Sequence, residues 1–324
     1  MPKMPKFKRP ETIQEVFEEF IEEKRSAGLS EKTLTTYCWH FTVFSRYLDV
    51  DMPVEELTSR DLRLAVSGLA RGGFSPNSIR SYTATFHSFV GWLHREGLSD
   101  AQIGLYKGSE TVPRTYSRLD LQALLKRPKR RCTFCEFRNW TIVNLLVNNG
   151  VRASTVRAME VQDVDLAGRA IRLRHTKNRK AQTIPLSSDL VGILAEYMKT
   201  RRGDPDDPLF PAADGRPMSE NCLHNAIRAY NLSRGVKLTS IHAFRHTFAR
   251  MYLVDCNGNA LKLQRLLGHS TLDMTKKYVR IFDEDLIDDF KKVSPLEAIK
   301  KGLQTTQGSS GRPEALPRKR RYSQ

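Results

Sequence analysis

Between Thr12 and Gly97 the chain carries four apolar stripes at helical spacing, each opened by a residue suited to a helix N-terminus. This punctuation narrows the possible folds more than any other feature. In the first stripe Ile13, Val16, Phe17, Phe20 and Ile21 fall at i, i+3, i+4, i+7 and i+8. Thr12 with Glu15 forms a capping box, and Gly28 ends the element. Ser30 opens a second stripe with Leu34, Tyr37, Cys38, Phe41, Phe44 and Leu48 on one face. Thr58 opens a third with Leu62, Ala65, Val66 and Leu69, closed by Gly72 and Gly73. Pro76, suited to a first helical position, starts a fourth with Ile79, Tyr82, Phe86, Phe89 and Leu93, ended by Gly97. Stripes this close together have only one another to pack against, so residues 12–103 are expected to form a compact helical module behind a basic extension, residues 1–11. Lys32, Arg60, Arg63, Arg71, Arg80 and His87 lie on its polar faces.

Periodicity is lost over residues 104–116, where Gly108, Pro113 and polar residues dominate, and this stretch reads as a linker. A second domain, residues 117–293, begins with a helix from Arg118 to Lys126 and a basic loop. A helix bearing Trp140, Val143, Leu146 and Val147 follows and stops at Gly150. Arg152 then stands at the start of a new helix. A cation in a first turn is poorly matched to the positive end of the helix dipole, so an anionic partner is expected nearby. Ala170–Arg174 and Thr183–Leu186 alternate as short strands, which makes Thr176-Lys177-Asn178-Arg179-Lys180 a basic hairpin tip. Further helices are expected over Asp189–Arg201 and from Ser219 toward Ser233. The fold class is therefore mainly α with a small β-sheet, in two domains, followed by a C-terminal helix and basic tail over residues 294–324.

With 40% hydrophobic residues the chain suits a folded protein, while its formal net charge of +17 attracts polyanions. Charge names nucleic acid as the partner class but not the activity, since an architectural or ribosomal-type binder fits it equally. No stretch approaches the roughly 18 apolar residues that span a bilayer, and Met1–Pro10 lacks the apolar run of a signal peptide. The expected setting is the bacterial cytoplasm, at the nucleoid when DNA-bound, with no membrane partner. Five scattered cysteines argue against a disulfide framework, and the lone Cys132/Cys135 pair has no second pair to complete a zinc site. His242 and His246 are four apart, but the glutamate and third ligand of a zinc protease are missing, so no metal and no cofactor are expected.

Six residues remain with chemistry suited to a phosphodiester: Arg152, Lys177, His242, Arg245, His269 and Tyr278. His242 and Arg245 are three apart and share a helical face. Gly268 can end a helix in a left-handed conformation, and Ser270 with Asp273 resembles a capping box for the helix that would carry Tyr278, nine positions after His269. A tyrosine in such a place is by itself ordinary core, and only its partners give it meaning.

Taken in order, Gly150-Val151-Arg152, Thr176-Lys177 ahead of Ile184-Pro185-Leu186, His242-Ala243-Phe244-Arg245, Leu267-Gly268-His269 and Tyr278 resemble the motifs of the tyrosine recombinase (lambda-integrase-like) family. The resemblance covers a catalytic domain from about Ser117 to Phe290, and the helical module is similar to that family's SAM-like core-binding domain. It implies a clamp around double-stranded DNA, Tyr278 as nucleophile, Arg152 and Arg245 on the non-bridging oxygens, and Lys177 as proton donor to the leaving oxygen. His242 would accept or orient a proton, and His269 would hydrogen-bond the phosphate. It further implies a homotetramer on two duplexes, exchange through a Holliday junction, an accessory DNA-bending or directionality factor, and a C-terminal segment passed to a neighbour. Thr155 departs from the pattern, since the family usually carries an acid there.

Because the helical module starts by Thr12, the expected type is a simple two-domain recombinase without a separate arm-binding domain, an integrase or transposase of a mobile element. A chromosome- or plasmid-dimer resolvase is the alternative within the family. A non-catalytic DNA-binding regulator and a type IB topoisomerase are alternatives outside it. The basic run Arg318-Lys319-Arg320-Arg321 matches a nuclear-localisation pattern but reads better as an arm toward DNA phosphates.

Overall fold

A computed structural model describes residues 11–109, 113–173, 182–256 and 258–268. The chain divides into two compact units, Met1–Thr111 and Val112–Gln324.

The first unit holds helices α1 (Ile13–Ser26), α2 (Glu31–Phe44), α3 (Ser59–Arg71) and α4 (Pro76–Glu96), with a short 3-10 turn at Val54–Glu56. Their ends are where the side chains dictate. Thr12 and Glu15, and Thr58 and Asp61, form complete capping boxes; Ser75 caps α4, with Pro76 in its first turn. Gly97 closes α4 in the left-handed conformation at φ 70°. The core is aromatic: Phe44 stacks on Phe86 with centroids 3.6 Å apart, and Phe17 on Phe41 at 3.9 Å. Each such ring taken from water contributes about 1.5–3 kcal/mol before the entropy of ordering is counted.

Two expectations fail on α2. Cys38 is exposed rather than core, and the helix stops at Phe44, so buried Leu48 reaches the core from beyond the helix. The inward position is filled instead by His40, whose Nδ1 lies 2.7 Å from the Thr85 hydroxyl across α4. The basic residues Lys32, Arg60, Arg63, Arg71 and Arg80 are exposed, as is His87, whose Nδ1 lies 2.9 Å from the Ile103 carbonyl oxygen.

The second unit packs α5 (Arg118–Leu125), α6 (Phe134–Asn149), α7 (Ala153–Ala158), α8 (Ser188–Arg201), α9 (Glu220–Ser233), α10 (Ile241–Leu253) and α11 (Ala260–Leu267) beside a small sheet. The sheet has three strands, β1 (Val164–Asp165), β2 (Ala170–Leu173) and β3 (Gln182–Pro185), in antiparallel order β1-β2-β3. Ile171 pairs with Ile184 and Leu173 with Gln182, which confirms the expected hairpin up to its tip. Strand β1 escaped the sequence reading because two residues carry no alternation. Helix α6 is the centre of this unit, with Ile142, Val143, Leu145 and Leu146 all fully buried and α8, α9 and α10 against it.

Tyr116 joins this core from the approach to α5. Its ring stacks on Phe244 of α10 at 4.1 Å, its hydroxyl donates to the Ser240 carbonyl at 3.0 Å, and its backbone N–H donates to Thr247 Oγ1 at 2.8 Å. Burial, its largest influence, raises the Tyr116 phenol above the ordinary tyrosine value. The first segment of the unit is thus tied to the helix that carries His242 and Arg245. Among the described residues no helix is long and apolar enough to cross a membrane.

Candidate active site

Helix α6 ends because Gly150 adopts φ 59°, a conformation that costs other residues steric energy, and its amide donates back to the Leu146 carbonyl at 2.9 Å. The chain then turns through Val151 and Arg152 into α7. Arg152 is the N-cap, in extended conformation, rather than a first-turn residue. Its guanidinium Nη2 donates to the Gly268 carbonyl at 3.2 Å. The acceptor is the carbonyl end of another helix, a neutral group rather than the anion expected beside this cation.

Arg245 comes to the same place from α10. It is only 3% exposed, so its charge must be met by fixed acceptors. Nη1 donates to the Gly150 carbonyl at 2.9 Å and Nη2 to the Leu267 carbonyl at 2.7 Å. These bonds join the ends of α6 and α11 through one planar group.

The last turn of α11 accounts for this convergence. The final carbonyls of a helix have no intrahelical donor and carry the negative end of its dipole. Gly268, left-handed at φ 61°, returns its amide to the Arg265 carbonyl. Gln182 of β3 donates Nε2 to the carbonyls of Arg265 and Leu266, both at 2.8 Å. With Leu267 held by Arg245 and Gly268 by Arg152, four consecutive carbonyls accept from three side chains. The residue that follows is His269.

His242 sits one turn before Arg245 on α10 and is exposed on the helix surface, with its ring 4.7 Å from that of His246 in an edge-on arrangement. Its pKa is lowered from the ordinary 6.5, first by desolvation and then by the charges of Arg245 and Arg152. The ring is therefore neutral near pH 7 and able to accept a proton. His242 lies three residues before Arg245 on α10, and Arg245 meets Arg152 at the end of α11.

The structure thus brings together Arg152, His242 and Arg245. Lys177, His269 and Tyr278 lie outside the described residues, as do the C-terminal segment expected to pass to a neighbour and the C-terminal helix and basic tail expected over residues 294–324. Thr155, where an acid was expected from the resemblance, is buried in α7. Among the described residues no group of three His, Cys, Asp or Glu side chains is set to hold a metal ion, and Cys132 and Cys135 are free thiols.

Sequence reasoning missed two polar residues that hold this site. Gln182 shares its face of β3 with buried Ile184, two residues on, so strand alternation points it inward, and a polar residue at an inward position needs a partner. Asn149 donates Nδ2 to the Pro185 carbonyl at 2.9 Å and pins the other end of β3 to α6. Its only sequence signal was a polar residue just before a helix-ending glycine.

Residues 117–285 match the model of the phage integrase family, and residues 16–100 that of the phage integrase N-terminal SAM-like domain. The chain belongs to the phage integrase family. It is a tyrosine recombinase, an enzyme of DNA recombination that binds DNA. Among its relatives, the tyrosine recombinase XerC of Shewanella amazonensis is 27% identical, over 76% of this chain and 84% of that one. Two solved structures share the recombinase fold. The Tn1549 transposon integrase in complex with transposon right end DNA is 15% identical with a TM-score of 0.72, covering 88% of this chain and 100% of that one. A lambda integrase tetramer bound to a Holliday junction is 17% identical with a TM-score of 0.66, covering 83% and 78%. At these identities the likeness is one of fold.

Proposed function

We propose that this recombinase cuts and rejoins double-stranded DNA through a 3′-phosphotyrosyl intermediate on Tyr278 and exchanges strands through a Holliday junction within a homotetramer. The observation that carries the reading is the meeting of Arg152 and Arg245 at the carbonyl end of α11, one residue before His269, with His242 one turn from Arg245 on α10.

The chemistry follows from what each group can do. A tyrosine hydroxyl, with an ordinary pKa of about 10, is protonated at neutral pH and needs an acceptor, for which neutral His242 is suited. Tyr278 Oη gives its proton to His242 and forms a bond to phosphorus. As phosphorus becomes five-coordinate, charge concentrates on the non-bridging oxygens. The guanidinium groups of Arg152 and Arg245 match that geometry better than point-charge ammonium groups, with His269 donating a further hydrogen bond. The P–O5′ bond breaks, and the leaving oxygen takes a proton from Lys177. The ester retains the bond energy, so a 5′ hydroxyl from another strand reverses the step without a cofactor.

For the biological setting we propose integration or transposition of a mobile element, supported by the fold shared with the Tn1549 integrase. Dimer resolution is the second reading, favoured by the relatives named XerC and XerA, which align over most of their own lengths. An accessory DNA-bending or directionality factor belongs to the first.

The test is a nicked suicide duplex carrying candidate sites from the DNA that flanks the chain's own coding region. The wild type is expected to form a covalent protein–DNA adduct, and Tyr278→Phe none. An adduct undiminished in Tyr278→Phe rejects the nucleophile. Sites at the ends of an excisable element support integration, and a single chromosomal site supports resolution.

A further inference from the structure

We infer that Gln182 is a positioning residue, whose carboxamide holds the hairpin that carries the proton donor Lys177 in register with the turn that carries His269. The inference rests on the roles proposed above for those two residues.

Gln182 is the first residue of β3 and pairs with Leu173, the last of β2, so it sits at the root of the hairpin whose tip contains Lys177. The pairing with β2 fixes its backbone. Its side chain then crosses to another element, where Nε2 donates to two consecutive carbonyls of α11 at 2.8 Å each. The contact is close on the acceptor side as well, since a Cβ added to Gly268 would stand 2.6 Å from Gln182 Oε1. One amide therefore bridges the hairpin root and the glycine that precedes His269. Strand β3 is anchored at its other end by Asn149 through the Pro185 carbonyl. Strand β3 is thus held to α11 at one end and to α6 at the other.

The two arginines fasten the same turn, but from α10 and from the N-cap of α7. Among the described residues, Gln182 is what ties it to β3 of the hairpin. Removing that tie leaves the phosphate clamp intact and loosens the relation between clamp and proton donor. The step affected is the one in which the P–O5′ bond breaks and the 5′ oxygen takes the Lys177 proton. Nucleophilic attack by Tyr278 is untouched.

A paired experiment on the full chain separates this role from a general loss of structure. Gln182→Met keeps the length of the side chain and removes its donors. In the first arm, hydrogen exchange without DNA is expected to rise in Gln182→Met at amides of residues 182–184 and 265–268 together, with the rest of the chain unchanged. Unchanged exchange there overturns the bridge. In the second arm, single-turnover cleavage is measured on the suicide duplex cut by the wild type, once with an ordinary diester and once with a 5′-bridging sulfur, whose thiolate leaves without a proton. Gln182→Met is expected to cleave the ordinary diester about a hundredfold more slowly and the sulfur-bridged diester within about threefold of wild type, as for Lys177→Ala. Equal losses on both substrates overturn the coupling to the proton donor. If the wild type cleaves neither duplex, the proposed chemistry fails, while the exchange arm still decides whether the bridge exists.

Discussion

Arg245 holds its site together before any DNA arrives. A buried guanidinium is costly unless its N–H groups are met, and here they are met by carbonyls of Gly150 and Leu267, the very ends that must converge. Truncating it would leave two buried acceptors without their donor, so loss of activity at this position mixes structural and chemical effects. His242 allows a cleaner test. Its pKa is depressed, so the neutral form persists below the ordinary value of 6.5, and cleavage is expected to hold until the pH falls through that lower value. In His242→Gln this acid limb should disappear as the rate drops at all pH values, measured by single-turnover cleavage between about pH 5 and 8. The linkage to stability has a definite sign. A histidine whose folded pKa lies below its unfolded value takes up its proton more readily in the unfolded chain. Stability is complete above about pH 6.5 and is lost as pH falls from there to the folded value. Buried His40, lowered by desolvation, adds to the same slope, which urea titrations at stepped pH would read.

At the scale of elements the glycine ending α6 is decisive. Gly150 needs φ 59°, and a Cβ there would stand 2.5 Å from the Phe248 ring, so neither the backbone nor the packing admits a side chain. Gly150→Ala is expected to cost about 2–4 kcal/mol, from left-handed strain and from displacing Phe248. Because the Gly150 carbonyl also receives Arg245, cleavage should fall further than the loss of folded protein explains. Urea denaturation alongside the cleavage assay separates the two, and an unchanged midpoint would reject the argument. Helix ends of this kind were legible beforehand, because a capping box or a left-handed glycine is set by residues within one turn. Thr12 with Glu15 and Gly97 both hold. The inner face of α2 was less legible. Cys38 and His40 are two residues apart, and hydropathy favours the cysteine, yet Thr85 on a neighbouring helix gives the histidine a partner and turns it inward.

At the scale of the whole molecule, activity depends on assembly in the proposed reading. The proposed tetramer needs contacts between subunits, and the C-terminal segment expected to pass to a neighbour carries the apolar residues Leu286, Ile287 and Phe290 beyond Tyr278, the proposed nucleophile. Deleting residues 284–324 is expected to leave cleavage of a single nicked duplex within about threefold while abolishing synapsis of two duplexes on native gels, because only the second requires a neighbour. Undiminished synapsis in the deletion would remove this segment from the interface. Sequence alone determined the helical modules, the paired strands and the order of the candidate site residues, since stripes, caps and motifs are local patterns. It could not say that Arg152, Arg245 and Gln182 all spend hydrogen bonds on one helix end. Those partners are backbone carbonyls of Arg265 to Gly268, and backbone acceptors are the same in every residue. Which carbonyl meets which side chain is decided only when distant elements pack, and that packing builds the site around the turn before His269.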